Sequence, residues 1–390
     1  MARVTTGLEH LLREPPNWII GRRLGLLCNQ ASVDASLRHA KCLINGRFPG
    51  QLKALFSPQH GLFAEKQDNM VESPHEADPD LDIPIYSLYG ETREPNPEQL
   101  SDIDIMLVDI QDVGCRVYTF IWTLYLVMRA CAKAGVGLAV LDRPNPVSGD
   151  LIEGNLLQRR LCSFVGLAPI PMRHGMTIGE LSRFFASDQG LDIELYVVPM
   201  DGWCRDMDFL DTGLPWVWPS PNMPTIDTAR VYPGQVILEG TNLSEGRGTT
   251  RPFEVFGAPY LDMVTLKSGF DGLKLQGLVM REQYFEPTFH KWAGRRCRGF
   301  QIHVTNKRLY RPYLSTLAIL SVVAKSSHGY FSWKAPPYEY EFEKLPIDLI
   351  IGNETVRRAV EEGASPQEIA AIWTEELNGF SSLMESFLLY

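Results

Sequence analysis

Residues 238–251 read Leu238-Glu239-Gly240-Thr241-Asn242-Leu243-Ser244-Glu245-Gly246-Arg247-Gly248-Thr249-Thr250-Arg251. Two carboxylates, one amide, two guanidiniums and four hydroxyls are spaced there by three glycines. Glycine lets a backbone turn sharply and come close to a ligand. Polar groups at this density suit a ligand built of hydroxyls, such as a sugar. Arg247 and Arg251 have the fork geometry to hold a carboxylate bidentately. A solvated Gly-rich turn is the plain alternative, but such a turn has no need of so many polar types. The preceding run, Gln235 to Leu238, reads as a buried strand.

Elements that would position this stretch are clearest in the first 150 residues. Apolar runs at 24–28, 52–56, 85–88, 103–108 and 136–141 alternate with helical patterns, among them Thr119 to Ala134 closed by Gly135. Continuous apolar strands separated by helices imply a parallel α/β sheet. Several of these strands break into polar residues at their carboxyl ends, where open parallel sheets bind ligands. That places Asn29, Gln30, His60, Asp109, Gln111, Asp112, Arg116 and Asp142 along one edge. Singly each has an ordinary reading: a strand-end cap for Asp109, a turn for Asp142, a structural histidine for His60. No G-x-G-x-x-G follows the first strand and no Walker lysine motif occurs, so a dinucleotide or ATP site is rejected and no cofactor is expected.

Glu65 and the polar run 66–70 follow His60 in a loop of the kind that carries working residues. Glu72, His75, Glu76, Asp78, Asp80 and Asp82 extend it as an acidic surface loop, a candidate lid. No ligand spacing supports a metal. Farther on, Gly213 to Arg230 holds four prolines and two tryptophans. It forbids a central strand and offers an aromatic wall for a sugar ring.

At 390 residues the chain exceeds one core. We divide it into a Rossmann-like α/β domain (1–155) and a mixed α/β domain (156–390). A net charge of −10 argues against nucleic acid as partner. No apolar run reaches the length of a membrane span. Seven scattered cysteines and a start without an apolar core imply a reducing cytoplasm, or a periplasmic protein if a leader has been removed.

Six motifs together resemble one family. They are Ser57-Pro58-Gln59-His60-Gly61, residues 109–119 (Asp109 to Thr119), Leu141-Asp142-Arg143-Pro144-Asn145-Pro146, Arg173-His174-Gly175-Met176-Thr177, Pro219-Ser220-Pro221-Asn222-Met223-Pro224 and residues 239–250. The pattern is similar to that of the exo-β-N-acetylmuramidases and covers nearly the whole chain. The resemblance implies a Rossmann-like domain joined to a second domain with the site in the cleft between them, and release of N-acetylmuramic acid from the non-reducing end of peptidoglycan fragments. It adds Gln59, Tyr118, Asn145, His174, Asn222 and Asn242 to the substrate-binding candidates. Many members carry Pro-Glu-His-Gly where this chain has Pro58-Gln59-His60-Gly61. An amide cannot exchange a proton at neutral pH. If that Glu is the family's acid/base, this chain uses another carboxylate, with Glu65 the nearest replacement in sequence, or has changed substrate or lost activity.

Glycoside hydrolysis needs a proton donor and a second group at the anomeric carbon. Glu65, Glu239 and Glu245 are the leading carboxylates. The Asp109/Asp112 pair suits a substrate-assisted route in which the sugar's acetamide attacks. Arg116, Arg247 or Arg251 would meet the lactyl carboxylate. Two other readings stay open: a glycosidase for another acidic or N-acetylated sugar, and a non-catalytic muropeptide-binding protein.

Overall fold

The computed structural model describes residues 3–67, 72, 74–327 and 329–390. The expected loop positions 68–70 and the first two residues lie outside them.

Among the described residues twelve strands form three sheets. β1 (Leu24–Cys28), β2 (Leu52–Ser57), β3 (Glu76–Ala77), β4 (Pro84–Ser87), β5 (Ile105–Asp109), β6 (Gly137–Leu141) and β9 (Leu195–Val198) make a seven-stranded sheet in the order β3-β4-β2-β1-β5-β6-β9. Every pairing is parallel except β3 with β4. β1 and β5 are buried along their whole length, as apolar runs in a doubly covered parallel sheet must be. The chain steps outward from β1 to β2 and β4, then from β5 to β6 and β9. The order therefore reverses between β1 and β5, and in such sheets ligands bind beyond the carboxyl ends of the strands. β9 comes from beyond residue 155.

β7 (Glu153–Leu156) pairs antiparallel with β8 (Pro171–Arg173). β10 (Val255–Ala258), β12 (Cys297–Val304) and β11 (Leu278–Phe285) form an antiparallel sheet, in that order. Helices fill the rest. The helix Phe120–Ala134 ends on Gly135 in the left-handed region, at φ 68°, the usual helix stop. The helix Ile178–Gln189 starts from Thr177 and Glu180 in a reciprocal capping box.

Two expectations are corrected. Gln235 to Leu238 is not a strand: it joins the helix Ile226–Gln235 to a 3₁₀ turn, Val236–Gly240. A short buried apolar run has no periodicity that separates the two. The acidic run is not a free lid either. Glu76–Ala77 is the edge strand β3, and Lys41 donates to the buried Asp78 at 2.6 Å and to Asp80 at 2.9 Å.

Arg116 is corrected as a substrate clamp. It is completely buried, and its guanidinium donates to the carbonyls of Asn155, Ile170, Ile350 and Ile351 at 2.6–3.1 Å. It ties the segment after β5 to β7 and to the helix Pro346–Ile351. Replacing Arg116 with Met removes its four donated bonds, and of those carbonyls Ile351 keeps the Asn155 amide at 2.8 Å; each group left unsatisfied costs about 1–3 kcal/mol, less than additively. We expect a loss of more than about 3 kcal/mol in urea unfolding. An unchanged midpoint would contradict the structural role.

Candidate functional site

A recess opens beyond the sheet's carboxyl edge, between the first and second parts of the chain. Gln59 and His60 reach it from the turn after β2, and Tyr118, Thr119 and Phe120 from the start of the helix after β5. Ser220, Asn222 and Met223 come from the proline-rich segment, and Tyr232 from the helix after it. Glu239, Arg247, Phe253, Tyr338 and Glu339 complete it. Every polar side chain in this lining is buried.

Local backbone geometry explains how these groups arrive. Glycines at 246 and 248, at φ 82° and 77°, flank Arg247 and fold it back over its own loop. A side chain at Gly246 would meet the Val255 carbonyl at 2.7 Å, and one at Gly248 the Phe289 carbonyl at 2.6 Å. The turned-back Arg247 donates to Glu239 Oε1 at 2.5 Å and lies 3.3 Å from Glu245 Oε1. Thr241 bridges to Trp333, and Lys334 N–H donates to the Gly240 carbonyl at 2.9 Å. That pairing carries the following segment to the recess, where Tyr338 OH donates to Glu239 Oε2 at 2.7 Å.

Tyr338 and Glu341 exchange both backbone hydrogen bonds, at 2.9 and 3.0 Å. Between them Glu339 and Tyr340 both take positive φ, 45° and 67°. This is the signature of a primed hairpin turn, where Asn-Gly is preferred. His60 and Phe253 are also left-handed, at φ 75° and 62°. Side chains held in that region cost of order 1–3 kcal/mol each and gather at functional sites.

On the opposite wall, Thr119 hydroxyl donates to Gln59 Oε1 at 2.6 Å, which turns Gln59 Nε2 toward Glu339 Oε1, 3.5 Å away. Tyr89 OH donates to Glu339 Oε2 at 2.7 Å. Burial pushes the Glu339 carboxyl above its ordinary value, with the Glu239 charge adding to the shift. His60 Nδ1 is 2.6 Å from the Lys66 carbonyl, and Asn222 donates to the Gln67 carbonyl at 2.8 Å. These bonds hold the loop after β2 against the proline-rich segment.

Glu245 lies behind the lining, wholly buried, with Lys291 Nζ at 2.8 Å and His290 Nδ1 at 3.1 Å. Burial alone would raise its pKa, but Lys291, His290 and Arg247 outweigh burial and hold it far below the usual carboxylate range.

Of the residues singled out from sequence, Gln59, His60, Tyr118, Asn222, Glu239 and Arg247 line the recess. The others do not, and each has a physical reason. Glu65 is half exposed, 3.6 Å from Lys66. Asp109 is clamped by Arg143 at 2.5 and 2.8 Å. Asp112 caps Gly114 N–H at 2.7 Å and pairs with His174 at 3.1 Å. Asp142 accepts from Gly179 N–H, Thr177 and Tyr390, and burial pushes its carboxyl up to about 7. Asn29 holds the Pro219 carbonyl, Gln111 those of Asp112 and Pro144, and Asn145 that of Met176. Asn242 bonds Tyr260 and the Tyr330 carbonyl beside an open groove with Lys291 and Trp292. Arg251 is half exposed on Glu254. Trp216 and Trp218 are not in the lining, whose aromatic faces are tyrosines and phenylalanines.

Sequence reasoning missed Glu339, Tyr338, Tyr232 and Thr119. The one signal was Tyr338-Glu339-Tyr340-Glu341, an alternation of aromatics and carboxylates just after Pro336-Pro337. It passes for an ordinary surface strand until Glu239 is seen beneath it.

A doubly wound α/β fold with a buried recess of carboxylates, amides and tyrosines defines a protein that handles a small polar ligand, in the manner of carbohydrate-active enzymes. Two family models cover the chain almost end to end: "Exo-beta-N-acetylmuramidase NamZ, N-terminal" over residues 24–227 and its C-terminal counterpart over residues 230–390. The chain belongs to the exo-β-N-acetylmuramidase NamZ family. It is 40% identical over 389 residues to the peptidoglycan β-N-acetylmuramidase NamZ of Bacillus subtilis (strain 168), covering 100% of this chain and 92% of that one. Two DUF1343 family proteins from Bacteroides fragilis share the fold. One has a TM-score of 0.89 at 30% identity, over 100% of both chains. The other has 0.77 at 26%, over 100% of this chain and 99% of that one.

The charge cluster behind Arg247 yields a prediction. Glu245→Gln removes the carboxylate partner of Lys291 and one of the two beside Arg247, and should cost about 3–5 kcal/mol near neutral pH. The folded pKa of Glu245 is depressed, so its contribution is present above the ordinary 4.5 and lost as pH falls below it. The stability gap between parent and variant should therefore narrow in acid. A gap that is constant with pH would contradict this account.

Proposed function

We propose that this chain is a glycoside hydrolase that releases N-acetylmuramic acid from the non-reducing end of peptidoglycan fragments. The observation that carries the reading is the recess itself. Its polar groups are all buried, which suits one terminal sugar entering endwise better than a glycan strand lying across. Family membership over the whole length of the chain supports the same substrate class.

In this reading Glu239 lies beneath the anomeric centre, paired with Arg247 and oriented by Tyr338. It stabilises positive charge at that carbon, or orients the acetamide when the sugar attacks itself. Arg247 is assigned to the lactyl carboxylate because, of the three candidate arginines, it lines the recess while Arg116 and Arg251 do not. Tyr118, Tyr232 and Phe253 supply apolar faces for the ring, and Gln59, Thr119 and Asn222 the bonds to its hydroxyls. A division between residues 227 and 230 respects the sheet membership of β9 and the limits of the two family models better than one at 155.

All seven cysteines are free, which supports a reducing compartment. No helix among the described residues is long and apolar enough to cross a membrane.

The test is turnover of an aryl β-N-acetylmuramide beside the matching glucosaminide. We expect reducing sugar from the muramide at the higher kcat/KM. Glu239→Gln should lower kcat about 10²–10⁴-fold with KM little changed. A protein that holds the muramide for hours without cleaving it would instead be a binding protein.

A further inference from the structure

Among the described residues two carboxylates line the recess, and their partners differ in charge. Glu239 is bound to a guanidinium. Among the described residues no lysine, arginine or histidine forms an ion pair with Glu339. Its partners are neutral donors, the Tyr89 hydroxyl and the Gln59 amide. A buried carboxyl held only by neutral donors is the member of such a pair suited to act as an acid. Gln59, which faces the same space, has no proton to exchange. Glu65, the nearest carboxylate to it in sequence, is outside the lining and half exposed.

The backbone at Glu339 gives an independent indication. The side chain is presented from a two-residue hairpin turn whose central residues are both left-handed, and neither Glu nor Tyr favours that region. Strain of this kind persists where something other than stability selects the residue.

We propose that Glu339 is the proton donor of the hydrolysis, an assignment that rests on the hydrolase reading above. Protonated Glu339 gives its proton to the glycosidic oxygen as the bond from that oxygen to the anomeric carbon breaks. The remainder of the fragment leaves as a neutral alcohol. Water then adds to the anomeric carbon and returns a proton to the Glu339 carboxylate, so the carboxyl is restored and one water is consumed per bond.

The groups that set its titration are Tyr89, Glu239, Gln59 and Arg93, the last over the rings of Tyr89 and Tyr340 at 4.1 and 4.4 Å. His60 shares the recess. Burial is the largest influence and favours the neutral acid, and Glu239 acts the same way; the Tyr89 and Gln59 bonds and the Arg93 charge oppose it.

The experiment compares Glu339→Gln with the parent on two muramides, one with a sugar leaving group and one with dinitrophenolate. A sugar alcohol needs protonation to depart and dinitrophenolate does not. We expect kcat/KM to fall about 10²–10⁴-fold on the first and less than about tenfold on the second. Tyr89→Phe is the companion variant and leaves Glu339 in place. Removing the bond that lowers the Glu339 pKa should move the alkaline limb of kcat/KM to higher pH. Equal losses on both substrates, an unaffected Glu339→Gln, or an alkaline limb that Tyr89→Phe does not move overturns the assignment. A parent inactive on both muramides overturns the hydrolase reading, and this assignment with it.

Discussion

Arg247 held between Glu239 and Glu245 is the interaction on which the recess depends. All three are buried, and ions removed from water repay their desolvation only when every charge is matched and hydrogen-bonded. Here the matching continues outward. Glu245 takes Lys291 and His290, and Lys291 donates in turn to the carbonyls of Leu238 and Leu243 at 2.7 and 2.9 Å. One set of charges therefore fixes the backbone on either side of Glu239, the conformation of the Gly246–Gly248 turn, and the placement of His290 and Lys291. The carboxylate facing the recess is rigid because its counter-ion is rigid.

Around this centre the protein accepts strain. His60, Phe253, Glu339 and Tyr340 all occupy left-handed backbone, and the first three line the recess. Folded stability is a small difference between large terms, so several such residues in one place need support from elsewhere. The parallel sheet provides it, with β1 and β5 buried throughout and Arg116 fastening the segment after β5 to the far end of the chain. A stiff scaffold lets loops carry costly conformations in the positions that chemistry requires.

The sheet was legible in the sequence because a doubly covered parallel strand is apolar without interruption, as Leu24–Cys28 and Ile105–Asp109 are. The run Gln235–Leu238 misled for the same reason: burial erases periodicity, and a 3₁₀ turn inside the core looks like a strand. At the site, the edge of the sheet was foreseeable but the assignment of individual residues was not. Asn29, Asp109 and Asp142 stand at strand ends yet face backbone amides and Arg143 rather than the recess. Residue type cannot distinguish a polar group that binds its own protein from one left to bind a ligand. Glu339 escaped notice because its importance is conformational: it meets Gln59 from 280 positions away, through a pairing between residues 240–242 and 332–334 that leaves no local mark.

The central claim is that a muramyl sugar sits in the recess bounded by Gln59, Glu239, Arg247 and Glu339. A crystal structure of the protein with N-acetylmuramic acid tests it most directly. The account predicts the sugar ring between Tyr118 and Phe253, its anomeric carbon toward Glu239 and Glu339, and its lactyl carboxylate on Arg247. A sugar bound instead in the open groove beside Asn242 and Trp292, with the recess untouched, would contradict it.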